Sequence, residues 1–140
     1  MRLKNKVAIV TGAGAGIGRA IAERFGAEGA AVVVAEVDTA NGESAAKAIS
    51  KGGEALFVQT DVSDEAQVRA MAETALDRYG RIDILCNNAA VLLANEEAPA
   101  HELSNEAWDR TMAVNLRGYW LCSKYVITPG SSSMCLRYES

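Results

Sequence analysis

The sequence predicts an α/β fold in which a doubly wound parallel sheet, truncated after about four strands, is covered by helices on both faces. Four short apolar runs rich in β-branched residues alternate with segments whose apolar residues recur at helical spacing. Strands that alternate with helices form parallel sheets, and right-handed crossovers favour the strand order 3-2-1-4. The 140 residues are enough for one domain with its own core.

The predicted strands follow one another at regular intervals, and each is followed by a helix. The strands cover residues 6–12, 31–37, 54–60 and 81–90. Glycines are expected to end the first and third helices, and the second covers residues 41–50. The third helix is expected to start near Ser63, and a long fourth helix covers about Ser104 to Ile127. These elements form one partial domain, residues 1–127.

Composition and charge restrict the class of protein. The net charge is −4 and lysine and arginine do not cluster, which argues against nucleic acid as the main partner. The apolar run near the amino terminus is too short for a signal peptide or a membrane span, so no membrane partner is expected. Three scattered cysteines, without a CxxC motif, and a single histidine predict neither a metal site nor a disulfide. This pattern is typical of a cytoplasmic protein.

A glycine-rich loop, TGAGAGIGRA, joins the first strand to the first helix. Its glycines Gly12, Gly16 and Gly18 follow a T-G-x-x-x-G-x-G pattern, which differs from the plain G-x-G-x-x-G fingerprint. Glycines at such a junction let backbone N–H groups approach a pyrophosphate, and the helix dipole favours its negative charge. A tight turn without a ligand is the alternative, but the position in the first βαβ unit favours a dinucleotide.

Glu36 adds a candidate ribose ligand at the end of the second strand. It follows Gly18 by 18 residues, close to the offset of about 20 residues expected for a carboxylate that binds the ribose hydroxyls. The same carboxylate would repel a 2′-phosphate, and neither Ala15 nor Val37 supplies a positive charge for one. NAD is therefore predicted in preference to NADP, although an acid at a strand end is also commonly just solvated.

Four motifs occur in the order TGAGAGIG, TDVSD, DILCNNAA and MAVNLRG. In this order they resemble the short-chain dehydrogenase/reductase family, over about residues 3–127, and the resemblance implies a Rossmann-type fold and a nicotinamide cofactor. The cofactor-binding positions it implies are Gly12, Gly16, Ile17 and Gly18 for the pyrophosphate, Asp61 and Val62 for the adenine, and Asn88, Ala89 and Ala90 beside the cofactor. Ala90 stands where the family usually has glycine. Considered alone, Asp61 could cap a turn and the asparagines could satisfy loop backbone groups.

Asn115 lies on the predicted long helix, on the face it shares with Met112, Tyr119 and Cys122. A buried amide at this position needs hydrogen-bond partners, and a neighbouring carbonyl would suffice. The resemblance implies a further role, in which the matching asparagine takes part in a proton relay to a catalytic lysine. Asn115 is thus a candidate for the relay position only.

The remaining catalytic residues that the resemblance implies are missing. The family uses a tyrosine with a lysine four positions later and a serine that holds the substrate oxygen. No tyrosine here has a lysine at that spacing. Tyr119 comes nearest to it, but Lys124 follows it by five residues. The serines at 131–133 follow no apolar strand, and residues 128–140 are predicted as an irregular tail that replaces the catalytic half.

Three functions remain open from the sequence. The chain is either a truncated NAD-dependent oxidoreductase without catalysis, a non-catalytic module that binds nucleotide or dimerises, or a truncation product without function. The expected partners are a dinucleotide and a second copy of the chain through the long helix. A small alcohol or carbonyl substrate is expected only if a full-length form exists.

Overall fold

The computed structural model describes residues 1–92 and 98–127. Within these residues four parallel strands form one sheet in the order β3-β2-β1-β4, as predicted. The strands are β1 (Val7–Thr11), β2 (Ala31–Glu36), β3 (Glu54–Gln59) and β4 (Ile84–Cys86). The helices are α1 (Gly16–Ala27), α2 (Thr39–Ile49), α3 (Glu65–Tyr79), α4 (Asn105–Met112) and α5 (Gly118–Val126), and a π-helical segment (Ala113–Arg117) joins the last two.

The side chains of alternate strand residues pack into two separate hydrophobic cores, one on each face of the sheet. Ile9 and Val33 belong to the core that α3 and α5 cover, which also contains Met71 and Leu121. The strand residues between them belong to the core that α1 and α2 cover, formed by Ala8, Val10, Val32, Val34, Ala22, Ala45 and Ile49 among others. The burial of both faces explains why the strands read as continuous apolar runs.

Asp83 fixes the start of β1 and β4 from a buried position. Its carboxylate accepts a hydrogen bond from the backbone N–H of Val7 at 2.8 Å and is bound by the guanidinium of Arg81. The Lys6 ammonium lies 3.7 Å away. Burial alone would raise the pKa of Asp83, but the bonds from Arg81 and Val7 and the charges of Arg81 and Lys6 lower it.

Several predicted boundaries differ from the observed ones. Helix α3 is capped by Asp64 and not by Ser63, because the Asp64 carboxylate accepts from the N–H groups of Ala66 and Gln67. The predicted long helix is interrupted by the π-helical segment, and β4 has only three residues. The predicted tail, residues 128–140, lies outside the described residues. In the described ranges no helix is long and apolar enough to cross a membrane.

Candidate functional site

A cavity of about 660 Å³ opens at the carboxyl edge of the sheet, between the glycine loop, the ends of β2, β3 and β4, and helix α4. This is the edge at which open α/β sheets bind their ligands. All ten residues predicted to bind a cofactor line it. They come from the junction of β1 with α1, the end of β2, and the loops after β3 and β4: Gly12, Gly16, Ile17, Gly18, Glu36, Asp61, Val62, Asn88, Ala89 and Ala90.

Two glycines of the loop are required by contacts within the protein. Gly12 has φ +64°, and a Cβ there would lie 2.8 Å from the Cα of Ala89. A Cβ at Gly18 would meet the carbonyl oxygen of Gly12 and the amide nitrogen of Asn88. Both positions therefore need glycine so that the loop can pack against the end of β4.

Gly16 is different, because its open side faces no protein atom. It has φ +55°, and a Cβ there would find nothing within 4 Å. It begins α1, whose N-cap residue Ala15 makes no side-chain cap, and the first turn contains no acidic residue. The helices α2, α3 and α4, by contrast, are capped by side chains: Asp38, Asp64 and Ser104. The first N–H groups of α1 are thus left for a ligand in the cavity, and this geometry fits a pyrophosphate.

Glu36 has its carboxylate fixed by three backbone N–H groups. One oxygen accepts from Gly14 at 2.9 Å, and the other accepts from Val37 at 2.9 Å and from Asp38 at 3.1 Å. These bonds tie the end of β2 to the glycine loop and hold a negative charge at the cavity wall. The structure thus gives Glu36 a positioning role that the sequence analysis did not foresee.

Thr11 joins the ends of β1 and β4 from a fully buried position. Its hydroxyl oxygen accepts from the N–H groups of Asn88 at 3.0 Å and Ala89 at 3.1 Å. The Asn88 side chain in turn donates to the carbonyl oxygens of Thr11 and Gly12, at 3.1 and 3.3 Å. The asparagine does satisfy loop backbone groups, as the alternative interpretation proposed, and in doing so it holds the loop beside the cavity.

Asp61 and Val62 form the wall that follows β3. One Asp61 oxygen accepts from the N–H and the hydroxyl of Ser63, at 2.9 and 2.6 Å, so Asp61 does cap a turn, which was the alternative interpretation of this residue. Val62 is buried, and a Cβ at Gly118 of α5 would lie 2.8 Å from its side chain. Close packing of α5 therefore fixes this wall.

Asn115 does not line the cavity but fixes a residue that does. Its amide nitrogen donates to the carbonyl oxygen of Val91 at 3.0 Å, and its amide oxygen accepts from the N–H of Val91 at 2.8 Å. The amide thereby pairs with both backbone groups of one residue in the loop after β4. Asn115 itself lies in the centre of the π-helical segment, and such segments are rare but frequent at functional sites.

Several lining residues were missed by the sequence analysis. Arg110, Ala113 and Val114 come from α4 and the π-helical segment, and Thr60, Ser63 and Val91 lie beside predicted residues. The spacing of Arg110, Ala113 and Val114 at i, i+3 and i+4 is the available sequence feature, but spacing alone does not say which helix face meets the cavity. Arg110 is the lining residue with a positive charge.

The cysteines of the described residues carry no sign of reactivity or metal binding. Burial raises the pKa of Cys122 to about 11 and also raises the pKa of Cys86, so both thiols are protonated at neutral pH. Among residues 1–92 and 98–127, no three histidine, cysteine or acidic side chains cluster in a way that could hold a metal ion.

Comparisons with known proteins agree with this fold. A family model described as short chain dehydrogenase matches residues 6–132. The oxidoreductase YxbG of Bacillus subtilis is 47% identical over 127 residues, which cover 90% of this chain and 46% of the relative. Galactitol 2-dehydrogenase of Agrobacterium fabrum is 41% identical over 126 residues, and the match covers 90% of this chain and 47% of the relative. The structure of a 3-ketoacyl-(acyl-carrier-protein) reductase from Brucella melitensis complexed with NADH has 42% identity and a TM-score of 0.83, and the match covers 89% of this chain and 50% of that one.

The chain therefore belongs to the short chain dehydrogenase family, a family of oxidoreductases that bind nicotinamide dinucleotides. It spans about half the length of the curated relatives it matches. The resemblance seen in the four sequence motifs is confirmed.

Proposed function

We propose that the chain binds NAD, in preference to NADP, in the cavity at the carboxyl edge of the sheet. The observation that carries this proposal is the uncapped N-terminus of α1, where Gly16 leaves backbone N–H groups open to the cavity. The preference for NAD rests on the Glu36 carboxylate, which is fixed at the cavity wall and would repel a 2′-phosphate. In this assignment Asp61 and Val62 flank the adenine.

The proposed activity of the whole protein is hydride transfer between NAD and a small alcohol or carbonyl compound. The nicotinamide supplies or accepts the hydride when bound, and the residues of this chain bind and orient it. A proton donor at the carbonyl oxygen is also needed. No tyrosine of the sequence has a lysine four residues later, so we expect the 140-residue chain alone to bind NAD without oxidising alcohols.

Titration calorimetry of the full chain with NAD and NADP tests the cofactor assignment. We expect saturable binding of NAD and weaker binding of NADP. The variant Glu36→Gln should narrow this difference by about tenfold or more, because a full charge beside the 2′-phosphate is removed. Glu43→Gln removes an exposed acid of α2 that does not line the cavity and is the matched control.

The outcomes separate the parts of the proposal. Absence of heat with either dinucleotide would contradict dinucleotide binding. Equal affinity of the unmodified chain for NAD and NADP would contradict the role of Glu36. Turnover of an alcohol by the chain alone would contradict the expected lack of catalysis.

A second candidate function, association with another copy of the chain, is favoured by the exposed face of the long helical region. Trp108, Leu116, Trp120 and Ile127 are each half or more exposed. The spacings of eight and four residues favour one side of the helical region for Trp108, Leu116 and Trp120, and Ile127 directly follows the end of α5. Apolar residues concentrated in this way are typical of an interface between proteins, and a second copy presents the same face.

A further inference from the structure

A second cavity, of about 440 Å³, lies at the opposite edge of the sheet, where β1, β2 and β3 begin. It is formed by the N-terminal turn, the segments that precede these strands and the segment after α3. The residues that matter for its chemistry are Lys4, Lys6, Gly29, Gly53, Tyr79 and Arg81. None of them belongs to the dinucleotide site.

The cavity is positively charged although the chain has a net charge of −4. Its lining contains three cationic side chains, Lys4, Lys6 and Arg81, and one acid, Glu54, and also Met1, whose terminal ammonium lies 3.9 Å from Glu28. The Glu54 carboxylate is already bound by Arg78, outside the lining, at 3.0 Å. None of the ion pairs found among residues 1–92 and 98–127 involves Lys4, so its ammonium is a charge that no carboxylate neutralises directly.

The other acids near this edge are likewise engaged. Asp83 is bound by Arg81 and by the N–H of Val7, and Lys6 lies 3.7 Å from it. Glu28 accepts from the N–H of Arg2 at 3.0 Å and from the guanidinium of Arg24 at 2.5 Å. An anion that enters the cavity would therefore meet Lys6 and Arg81, which share one carboxylate, and Lys4, which is in none of the ion pairs of the described residues.

Tyr79 also lines this cavity and carries a hydrogen-bond donor. Its hydroxyl is buried and has no hydrogen-bond partner in the described part of the chain. Burial raises the pKa of Tyr79 and the charge of Glu54 adds to this, so the hydroxyl is protonated at neutral pH and can donate. Buried polar atoms in folded proteins almost always have a partner, and an orphaned hydroxyl calls for one.

The backbone holds Lys4 at the cavity in advance of any ligand. Gly29 has φ +90°, and a Cβ there would lie 3.3 Å from the Cα of Lys4, so only glycine lets the N-terminal turn close over it. The N–H of Leu3 donates to the carbonyl oxygen of Glu28 at 2.8 Å and anchors the turn. The backbone of Lys4 is thus fixed beside the cavity, and its side chain is exposed.

We propose that this cavity binds a small oxyanion, a phosphate or carboxylate group, through the Lys4 ammonium and the Tyr79 hydroxyl, with Lys6 and Arg81 adding positive charge. The site is separate from the proposed dinucleotide site, and the proposal does not depend on the function assigned to that site.

Titration of the isotope-labelled full chain with inorganic phosphate, at constant ionic strength, tests the proposal by ¹H–¹⁵N correlation spectra. We expect saturable shifts of the Gly29 and Gly53 amides, which lie at this cavity. Phosphate bound to the glycine loop would instead shift the Gly16 and Gly18 amides, so the two sites are read separately. A parallel titration with acetate distinguishes a carboxylate ligand from a phosphate ligand.

Three variants make the test specific. Lys4→Gln and Tyr79→Phe should each weaken binding about tenfold, the value for loss of one hydrogen bond to a charged group. Lys51→Gln removes a lysine that does not line the cavity and should leave binding unchanged. The proposal is overturned if neither anion shifts Gly29 and Gly53 saturably, if chloride produces the same shifts, or if Lys4→Gln and Tyr79→Phe bind as the unmodified chain does.

Discussion

Gly18 lies where the first helix crosses the end of the fourth strand, and no larger residue fits there. A Cβ at this position would overlap the carbonyl oxygen of Gly12 and the amide of Asn88. We expect Gly18→Ala to lower the free energy of unfolding by about 1–3 kcal/mol, the usual cost of overpacking, and to weaken NAD binding. Urea unfolding measures the first effect. The control is Gly52→Ala, since a Cβ at Gly52 meets no atom within 4 Å, and equal stability of the two variants would contradict the expectation.

Asp83 is the residue whose charge contributes most clearly to stability. Because its folded pKa is lowered below the ordinary value of 3.8, the carboxylate contributes stability that is present above the unfolded pKa. This contribution is lost as the pH falls through the lower folded pKa. Asp83→Asn should therefore destabilise the chain by about 1–3 kcal/mol at pH 7, with a smaller difference from the unmodified chain below pH 3.8.

Urea unfolding of both proteins across this pH range, followed by circular dichroism, measures the difference. Asp77→Asn is the control, because Asp77 is an exposed acid on the neighbouring helix α3. A loss of stability that is independent of pH would mean that Asp83 acts through shape and not through charge.

For single residues, the glycine pattern predicted a loop at this junction, because Gly12 and Gly16 have positive φ angles that favour glycine. The roles of Thr11 and Glu36 could not be predicted in the same way. Thr11 bonds to residues 77 and 78 positions away, and the bonds of Glu36 to the loop depend on the strand order. Hydrogen-bond partners that are far apart in the chain and meet only in the folded sheet cannot be identified from the residues next to Thr11 or Glu36.

The π-helical segment is joined to the loop after β4 by one side chain, Asn115. Asn115 bonds both the N–H and the carbonyl oxygen of Val91, and removal of the amide leaves two partly buried backbone groups without partners. Asn115→Ala should lower the free energy of unfolding by about 1–3 kcal/mol. It should also weaken NAD binding, because Val91 lines the cavity.

Thermal unfolding and NAD titration of this variant measure the two effects. Asn105→Ala changes an exposed asparagine at the start of α4 and serves as the control. An unchanged NAD affinity in Asn115→Ala would mean that the loop after β4 keeps its shape without the amide.

Helices and strands with a clear apolar periodicity were predicted in type and order. The predictions failed where long-range contacts determine the bounds or the local geometry of an element. The apolar spacing of residues 104–127 indicated a helix but not its π-helical interruption, since the pairing of Asn115 with Val91 is a long-range contact. Of the predicted strand 81–90, only residues 84–86 pair in register with β1, and Asp83 and Asn88 on either side of them form bonds to β1 that involve side chains. The edge position of β3, which leaves its residues half-buried, follows from the strand order and not from its own composition.

For the whole molecule, the strand order 3-2-1-4 could be predicted because handedness and alternation leave few arrangements. The cavity at the carboxyl edge then follows, since every predicted site residue except Asn115 lies at or after the carboxyl end of a strand. The cavity at the amino edge could not be predicted, because it depends on the packing of the N-terminal turn against Gly29, which is a long-range contact. The two edges of the sheet thus differ in how far the sequence alone reveals them.

The exposed face of the long helical region, formed by α4, the π-helical segment and α5, predicts that the whole molecule associates in solution. Leu116 and Trp120 are 66% and 57% exposed in the single chain, and association with a second copy would remove them from water. We expect sedimentation velocity to show a concentration-dependent dimer. Leu116→Glu should raise its dissociation constant by at least about tenfold, because a charge would have to be buried in the interface. Leu92→Glu, an equally drastic change at a residue 80% exposed outside this face, should leave the dimer intact, and dimers unaffected by Leu116→Glu would place the interface elsewhere.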